Sequence, residues 1–226
     1  MLLAAAVPLL RRWSPIEVHV GFVDFEPGSA GADGLTLGIE EAQHTAELFG
    51  ASVTLSAAKG PGHGAVIGGG DRSHCLAAAA PGVAFINTAC TDDSLRCAGM
   101  VWHVAPSDSM LRNAGSDALA WDPSLERFGA DTLNRRFQAR FNRVMTADAW
   151  TAWFAVKVVW ETALRARSGD PARILALLPS LQFDGHKGAR LRFDADHQLR
   201  QPLYRNEAGR LIEVADAGPA VEAACK

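Results

Sequence analysis

The sequence has no excess charge of either sign and no long apolar run. Its 22 lysines and arginines are balanced by 25 aspartates and glutamates, for a formal net charge of -3. Because acidic and basic residues alternate along the chain, we expect no continuous basic surface and no nucleic-acid partner. No segment is long and apolar enough to span a bilayer.

Residues 2–10 form the only short apolar stretch near the N-terminus, "LLAAAVPLL". Its length is that of the apolar region of a signal peptide, but the basic residues normally found before it are absent, and Arg11 and Arg12 follow it. Two interpretations remain open: residues 1–13 are a clipped export signal, or they extend the first helix or strand.

Cysteine is scarce, with four residues and no CxxC pair, so we expect no structural zinc site. Cys90 and Cys97 are close enough in sequence to close a small disulfide loop. Buried free thiols are the alternative, and the sequence does not fix the pairing among Cys75, Cys90, Cys97 and Cys225.

The motifs of nucleophilic catalysis are also missing, since the chain has no GxSxG, no SxxK and no cysteine–histidine signature. The sequence therefore predicts no enzyme, no catalytic residue, no metal site and no required cofactor.

What the sequence does contain is an alternation of β-branched and helical segments, which predicts an α/β fold with a parallel sheet. Asp33 is a candidate N-cap of the first helix and Gly50 its C-terminal stop, whereas residues 107–131 show no clear element. Strands are predicted at 16–25, 51–58, 65–71, 82–89 and 100–107, and helices at 35–50, 72–80, 132–145, 147–169 and 170–180.

Two segments towards the C-terminus have distinct patterns. The stretch "DAWTAWFAVKVVW" (148–160) holds three of the six tryptophans and is apolar almost all round, so we expect a helix buried in the core. Residues 185–214 predict a β-meander, with strands near 189–193, 201–205 and 210–214 and a turn at Asn206 to Gly209.

Ligands of open parallel sheets bind at the carboxyl ends of the strands, which directs attention to three loops. These are Asp24 to Gly28, Gly68 to Ser73, and Thr88 to Ser94. The "GGGD" of the second loop is either a tight glycine turn or a cradle of backbone N–H groups. The third is either an N-capped turn or a ligand contact.

The order of elements resembles the first lobe of type I periplasmic substrate-binding proteins, the branched-chain amino-acid-binding group of ABC importers. More narrowly, five segments resemble binding proteins associated with PQQ-dependent alcohol dehydrogenase systems. They are "FINTACTDDSLR", "HVAPSDSML", "LNRRFQARF", "DAWTAWFAVKVVWETALRARSGDPA" and "FDGHKGARLRFDADHQLRQPLY". The resemblance implies a single Rossmann-like lobe flanked by helices over residues 14–214, a C-terminal tail at 215–226, and a periplasmic location.

The resemblance also implies a ligand site and a departure from the family. Full members have a second α/β lobe, which here is expected to be deleted near 110–130. The implied partners are a small molecule (PQQ among the candidates) and an ABC permease or periplasmic dehydrogenase. The alternative is a single-lobe remnant that acts as a protein-interaction module for a dehydrogenase, cytochrome or permease and that pairs with a second copy of the chain. The family's ligand loops map onto Asp24, Phe25, Gly69, Gly70, Asp71, Thr88, Ala89, Cys90 and Thr91. Asp92 beside them would repel a ligand carboxylate.

Overall fold

The computed structural model describes residues 15–58, 62–115, 117–188, 190–215 and 217. The predicted export segment 1–13 and most of the predicted tail 215–226 lie outside these residues. No helix in the described part of the chain is long and apolar enough to cross a membrane.

Five parallel strands form the central sheet, as the sequence predicts. They are β1 (Glu17–Val23), β2 (Ser52–Ala57), β3 (Ala65–Gly68), β4 (Ala84–Asn87) and β5 (Val101–His103). Their order in the sheet is β2-β1-β3-β4-β5, and every neighbouring pair is parallel. The three strands β3, β4 and β5 are buried along their whole length, which is typical of a sheet covered on both faces.

Six α-helices accompany the sheet in the described residues. They are α1 (Ala30–Leu48), α2 (Arg72–Ala78), α3 (Asp108–Ala114), α4 (Ala130–Phe141), α5 (Ala147–Ala166) and α6 (Pro171–Leu177). Shorter 3₁₀ turns occupy Asp93–Cys97, Arg127–Gly129 and Leu178–Ser180. Helix α3 lies in the segment for which the sequence predicted no element, while the other helices correspond to predicted ones.

The start of α1 corrects one prediction. Ser29, not Asp33, is the N-cap, because the Ser29 side chain accepts a hydrogen bond from the Ala32 N–H. Asp33 lies in the first turn, where it forms an ion pair with Arg143. A carboxylate there also stabilises the positive end of the helix dipole. Gly50 follows the helix with a φ of +62°, as the predicted stop requires.

Helix α5 is the centre of the core, which confirms the interpretation of the tryptophan-rich stretch. Trp150, Trp153 and Trp160 are 0%, 2% and 5% exposed. The Trp150 ring stacks on Trp121 and Phe154, with centroids 5.7 and 4.9 Å away. The long predicted helix is therefore wedged among other elements rather than lying on the surface.

The predicted β-meander is present as two separate sheets. Strands β6 (Phe183–Asp184), β7 (Arg190–Phe193) and β8 (Leu199–Arg200) form one, and β9 (Leu203–Glu207) pairs with β10 (Arg210–Val214) in the other. Pro202, which lacks an N–H, separates β8 from β9 and explains why the strand predicted at 201–205 begins at Leu203. The β9–β10 turn has positive φ at Ala208 and Gly209, within the predicted turn.

Candidate functional site

All five parallel strands end at one edge of the sheet, and an open cleft of about 610 Å³ lies at the ends of β3, β4 and β5. The loop after β3 and the turn into α2 form one wall, and the loop after β4 forms the other. Its lining residues are Gly70, Asp71, Arg72, Ser73, Ala89, Cys90, Thr91, Asp92 and Asp108.

The structure brings five of the predicted site residues together on this cleft: Gly70, Asp71, Ala89, Cys90 and Thr91. Two predicted loops, separated in sequence by β4, thus meet across the cleft. The meeting follows from the parallel pairing of β3 with β4, which aligns Gly68 with Asn87 at their carboxyl ends.

The other four predicted residues do not line the cleft. Thr88 is 4% exposed, and its hydroxyl turns inward to donate to the carbonyl of Gly68 at 3.0 Å. Gly69 is buried, and Phe25 packs against the core. Asp24 lies at the margin, with Oδ2 3.8 Å from Nδ1 of His74.

Backbone donors on both walls of the cleft remain open. The N–H groups of Gly70, Asp71, Thr91 and Asp92 donate to no acceptor within the described residues. Gly70 has a φ of +88°, a conformation that glycine adopts without strain. The glycine cluster therefore forms a tight turn and at the same time leaves N–H groups available to a ligand, so the two interpretations of the sequence are not exclusive.

Carboxylates dominate the side-chain chemistry of the cleft. Hydrogen bonds from the Ser73 hydroxyl and the His74 N–H lower the pKa of Asp71, and hydrogen bonds from Ser94 lower the pKa of Asp92. Both carboxylates are thus ionised at neutral pH, and Asp108 and Arg72 line the same space. With open N–H donors beside acidic side chains, the cleft suits a ligand that carries both acceptors and donors.

Asp108 is a cleft residue that the sequence reasoning missed. It follows β5 in the same way that Asp71 follows β3, so the rule about strand ends could have found it. The buried residues behind the loop after β4, Asn87 and Arg96, were missed as well. A charged side chain such as Arg96 is ordinarily placed on the surface, and no sequence signal marked it as buried.

The cysteine predictions are resolved in part. Cys75 and Cys90 are buried free thiols, so the Cys90–Cys97 disulfide loop is wrong, and Cys97 is disulfide-bonded elsewhere. The pKa of Cys75 is raised to about 12, mainly by burial and also by the nearby Cys90 thiol. Cys225 lies outside the described residues.

A second cavity, of about 430 Å³, lies between α1 and α5, and Trp153 and Trp160 are among its lining residues. Its charged side chains are all paired: Lys157 Nζ lies 2.7 Å from Glu161 Oε1, and Glu41 pairs with Arg136 outside the cavity. The cleft at the strand ends offers unpaired backbone donors instead, and we take it as the candidate site.

His103, at the end of β5, makes stability depend on pH. Asn87 Nδ2 lies 3.1 Å from His103 Nδ1, which must accept because an amide N–H donates. His103 Nε2 is buried and has no partner within the described residues. Burial, Arg96 and His197 hold the pKa of His103 well below its ordinary value.

We therefore expect acid to destabilise the fold partly through His103. Because the unfolded chain takes up this proton near pH 6.5, the stabilisation is complete above that pH and is lost below it, at up to about 1.4 kcal/mol per pH unit. Urea denaturation between pH 7.5 and 5 should show a smaller decline for His103→Asn, which keeps an acceptor for Asn87. Equal declines in both proteins would exclude His103 as a cause.

Solved structures with the same fold are substrate-binding proteins of ABC transporters. One is from Desulfitobacterium hafniense in complex with Leu, with 13% identity, a TM-score of 0.70, and coverage of 89% of this chain and 100% of that one. A branched-chain amino acid transporter substrate binding protein from Streptococcus pneumoniae, in complex with isoleucine, has 12% identity, a TM-score of 0.66, and coverage of 88% and 98%.

A solute binding protein from R. palustris in complex with benzoate has 11% identity, a TM-score of 0.65, and coverage of 92% and 98%. No family model and no curated protein matches the chain. At these identities the likeness shows the fold alone: the five-stranded sheet and its helices match a lobe of a type I periplasmic binding protein.

Proposed function

We propose that this protein is a non-enzymatic solute-binding component of an ABC import system and that its ligand is a small polar molecule bound in the cleft. The observation that carries the proposal is the pairing of open N–H groups with ionised carboxylates at the ends of adjacent parallel strands. Ligands of open α/β sheets bind at this edge. The fold shared with ligand-bound transporter proteins supports it.

The finer parts of the proposal rest on the resemblance of the sequence motifs. We propose a periplasmic location, an ABC permease as partner, and a link of the import system to PQQ-dependent alcohol oxidation. The second lobe is proposed to be deleted near 110–130, where α3 and an extended segment that pairs with β9 at Leu119 and Tyr204 occupy the described chain. PQQ and products of alcohol oxidation are candidate ligands, although Asp71, Asp92 and Asp108 disfavour carboxylates.

A protein-interaction module is the alternative from another class, with a dehydrogenase, cytochrome, permease or second copy as partner. It predicts a contiguous apolar patch on the floor of the cleft. None of the large exposed apolar side chains of the described residues, Leu48, Phe49, Met100, Leu119, Phe128 and Val144, lines the cleft. The solute-binding function is therefore the better supported one, and light scattering of the purified protein tests the dimer.

The test is a binding screen with leucine, isoleucine, benzoate and PQQ, followed by isothermal titration of each compound that raises the melting temperature. A ligand at one hundred times its Kd adds about 2.7 kcal/mol to stability. We expect at least one saturable binder whose Kd rises about tenfold or more in Thr91→Val. In Asp71→Asn the Kd should rise for leucine or isoleucine, whose ammonium the Asp71 carboxylate attracts, and fall for benzoate or PQQ, whose carboxylates it repels. Asn still caps α2, so this second variant removes charge and not the cap.

Asp170→Asn is the matched control, because Asp170 caps α6 in the same way and does not line the cleft. Its Kd should equal that of the wild type. Saturable binding whose Kd neither cleft variant changes would place the site elsewhere, and no binding by any of the four compounds would count against a solute-binding function.

A further inference from the structure

Arg96 lies directly behind the cleft loop and holds its backbone. It is 3% exposed, and Nη1 donates to the carbonyls of Cys90 and Asp92 at 2.8 and 2.9 Å. Nη2 donates to the carbonyl of Ala105 at 2.8 Å. A single planar group thus fixes two points of the loop after β4 relative to the segment after β5.

Asn87 holds the same loop from its other end. Its Oδ1 accepts the N–H groups of Ala89 and Cys90 at 3.2 and 2.9 Å, and its Nδ2 donates to the Cys90 carbonyl at 2.8 Å. The backbone N–H and C=O of Cys90 are therefore both hydrogen-bonded within the protein. The neighbouring N–H groups of Thr91 and Asp92 are left facing no acceptor within the described residues.

Gln198 connects Arg96 to the C-terminal strands. Its Oε1 accepts from Arg96 Nε at 3.2 Å, across 102 positions of sequence. Its Nε2 donates to the carbonyls of His103 and Ala105 at 3.2 and 3.1 Å. Gln198 is 0% exposed, so water does not compete for these hydrogen bonds.

The burial of Arg96 carries a free-energy cost, which is explained if the geometry of the loop matters for function. A buried guanidinium loses its hydration, and burial lowers the pKa of Arg96 to about 10. In the described residues its hydrogen-bond acceptors are carbonyls and the Gln198 amide oxygen, and no carboxylate forms a direct ion pair with it. Only arginine supplies such a planar fork of donors, whereas lysine offers one point charge.

We propose that Arg96, oriented by Gln198, is a positioning residue that sets the backbone of residues 88–92 for ligand binding. This inference rests on the proposed function. It implies that Gln198, beside the C-terminal strand β8, supports the binding site from behind, although no residue of the C-terminal strands lines the cleft.

The test uses the free thiol of Cys90, in the positioned loop, as the reporter of local opening and the backbone amides of α5 as the reporter of global opening. In Arg96→Lys, alkylation of Cys90 by iodoacetamide, measured by peptide mass spectrometry, should accelerate at least tenfold while hydrogen exchange in α5 stays at the wild-type rate. Hydrogen exchange at the Ala89 and Cys90 amides should accelerate to a similar extent.

Arg112→Lys is the matched control, because Arg112 contacts the same 3₁₀ turn through Asp93 but from the surface. It should leave Cys90 and the α5 amides at wild-type rates. Gln198→Leu is the second variant, should Arg96→Lys fail to fold, and should give a smaller acceleration at Cys90. Acceleration at both Cys90 and the α5 amides, or at neither, would overturn the positioning role.

The ligand arm repeats the titrations with leucine, isoleucine, benzoate and PQQ. For a probe that binds the wild type, Kd should rise at least tenfold in Arg96→Lys and remain unchanged in Arg112→Lys. A loosened loop with unchanged Kd would overturn the positioning role while leaving the proposed function intact. Absence of binding by the wild type itself would overturn both, and the two failures are thereby distinguished.

Discussion

Gly34→Ala is expected to destabilise the protein by more than about 3 kcal/mol, although alanine is the better helix former. The intrinsic preference of a helix for alanine over glycine is roughly 1 kcal/mol, which favours the substitution. A Cβ at position 34, however, would overlap the backbone carbonyl of Ala149 in α5. Overpacking against side chains costs about 1–3 kcal/mol, and a backbone carbonyl cannot rotate away, so the larger value is expected.

Gly38, one turn further along α1, shows that this contact is a feature of the whole helix pair. A Cβ there would lie 2.9 Å from Cβ of Val156 and 3.1 Å from the carbonyl of Trp153. The two glycines therefore give α1 a flat strip against which α5 packs. The strip lets the tryptophan-rich helix lie close enough to α1 to be buried.

Gly99→Ala is the control for this prediction, since a Cβ at position 99 meets nothing within 4 Å and its φ is not positive. Its free energy of unfolding should be within about 0.5 kcal/mol of the wild type. The measurement is urea denaturation of both variants at pH 7.5. Equal stability of the two variants would show that α1 and α5 do not approach as closely as described.

The order of elements could be predicted from the sequence because, along the first hundred residues, the spacing of apolar residues matches the burial of the strands and helices. β3 and β4 are buried on both faces and contain continuous apolar runs, "AVI" and "AFI", between glycine turns and short helices. Local sequence patterns did not predict a short helix whose position depends on where the preceding strand ends. Helix α3 has seven residues, and its Ser107 cap is obvious only once β5 is seen to end at His103.

The candidate site was predictable to the level of loops and not of side chains. Strand ends placed Asp71 and Thr91 on the cleft, since parallel neighbours must end together. Thr88 was predicted with them, yet its hydroxyl bonds to the Gly68 carbonyl inside the protein. The direction of a side chain in a loop depends on such long-range hydrogen bonds, and for Arg96 the partner Gln198 lies 102 residues away.

Trp150→Ala is the second substitution for which we expect a large loss, about 3–5 kcal/mol of unfolding free energy. The Trp150 side chain is 0% exposed and its indole N–H donates to the carbonyl of Gly185 at 3.2 Å. Removal of the ring leaves a cavity between Trp121 and Phe154, which stack on it. A contact with Lys187 adds to this loss.

Lys187 is 2% exposed, and its Nζ lies 3.8 Å from the Trp150 ring centroid. Burial lowers the pKa of Lys187 well below its ordinary value, and Nζ donates to Gln201 Oε1 and the Pro202 carbonyl. The Trp150 ring covers this polar group, so the alanine variant also removes the aromatic face against which Nζ packs. The tryptophan thus supports both the core and a buried polar group.

Trp150→Phe separates the two contributions, because phenylalanine retains an aromatic face for Lys187 and Phe154 while losing the N–H and part of the volume. Its loss should be clearly smaller than that of Trp150→Ala in urea denaturation at pH 7.5. Equal losses would mean that the indole N–H to Gly185 and the ring volume decide the stability, with no contribution from the aromatic face that contacts Lys187. A loss below about 1 kcal/mol for Trp150→Ala would contradict the burial of this helix.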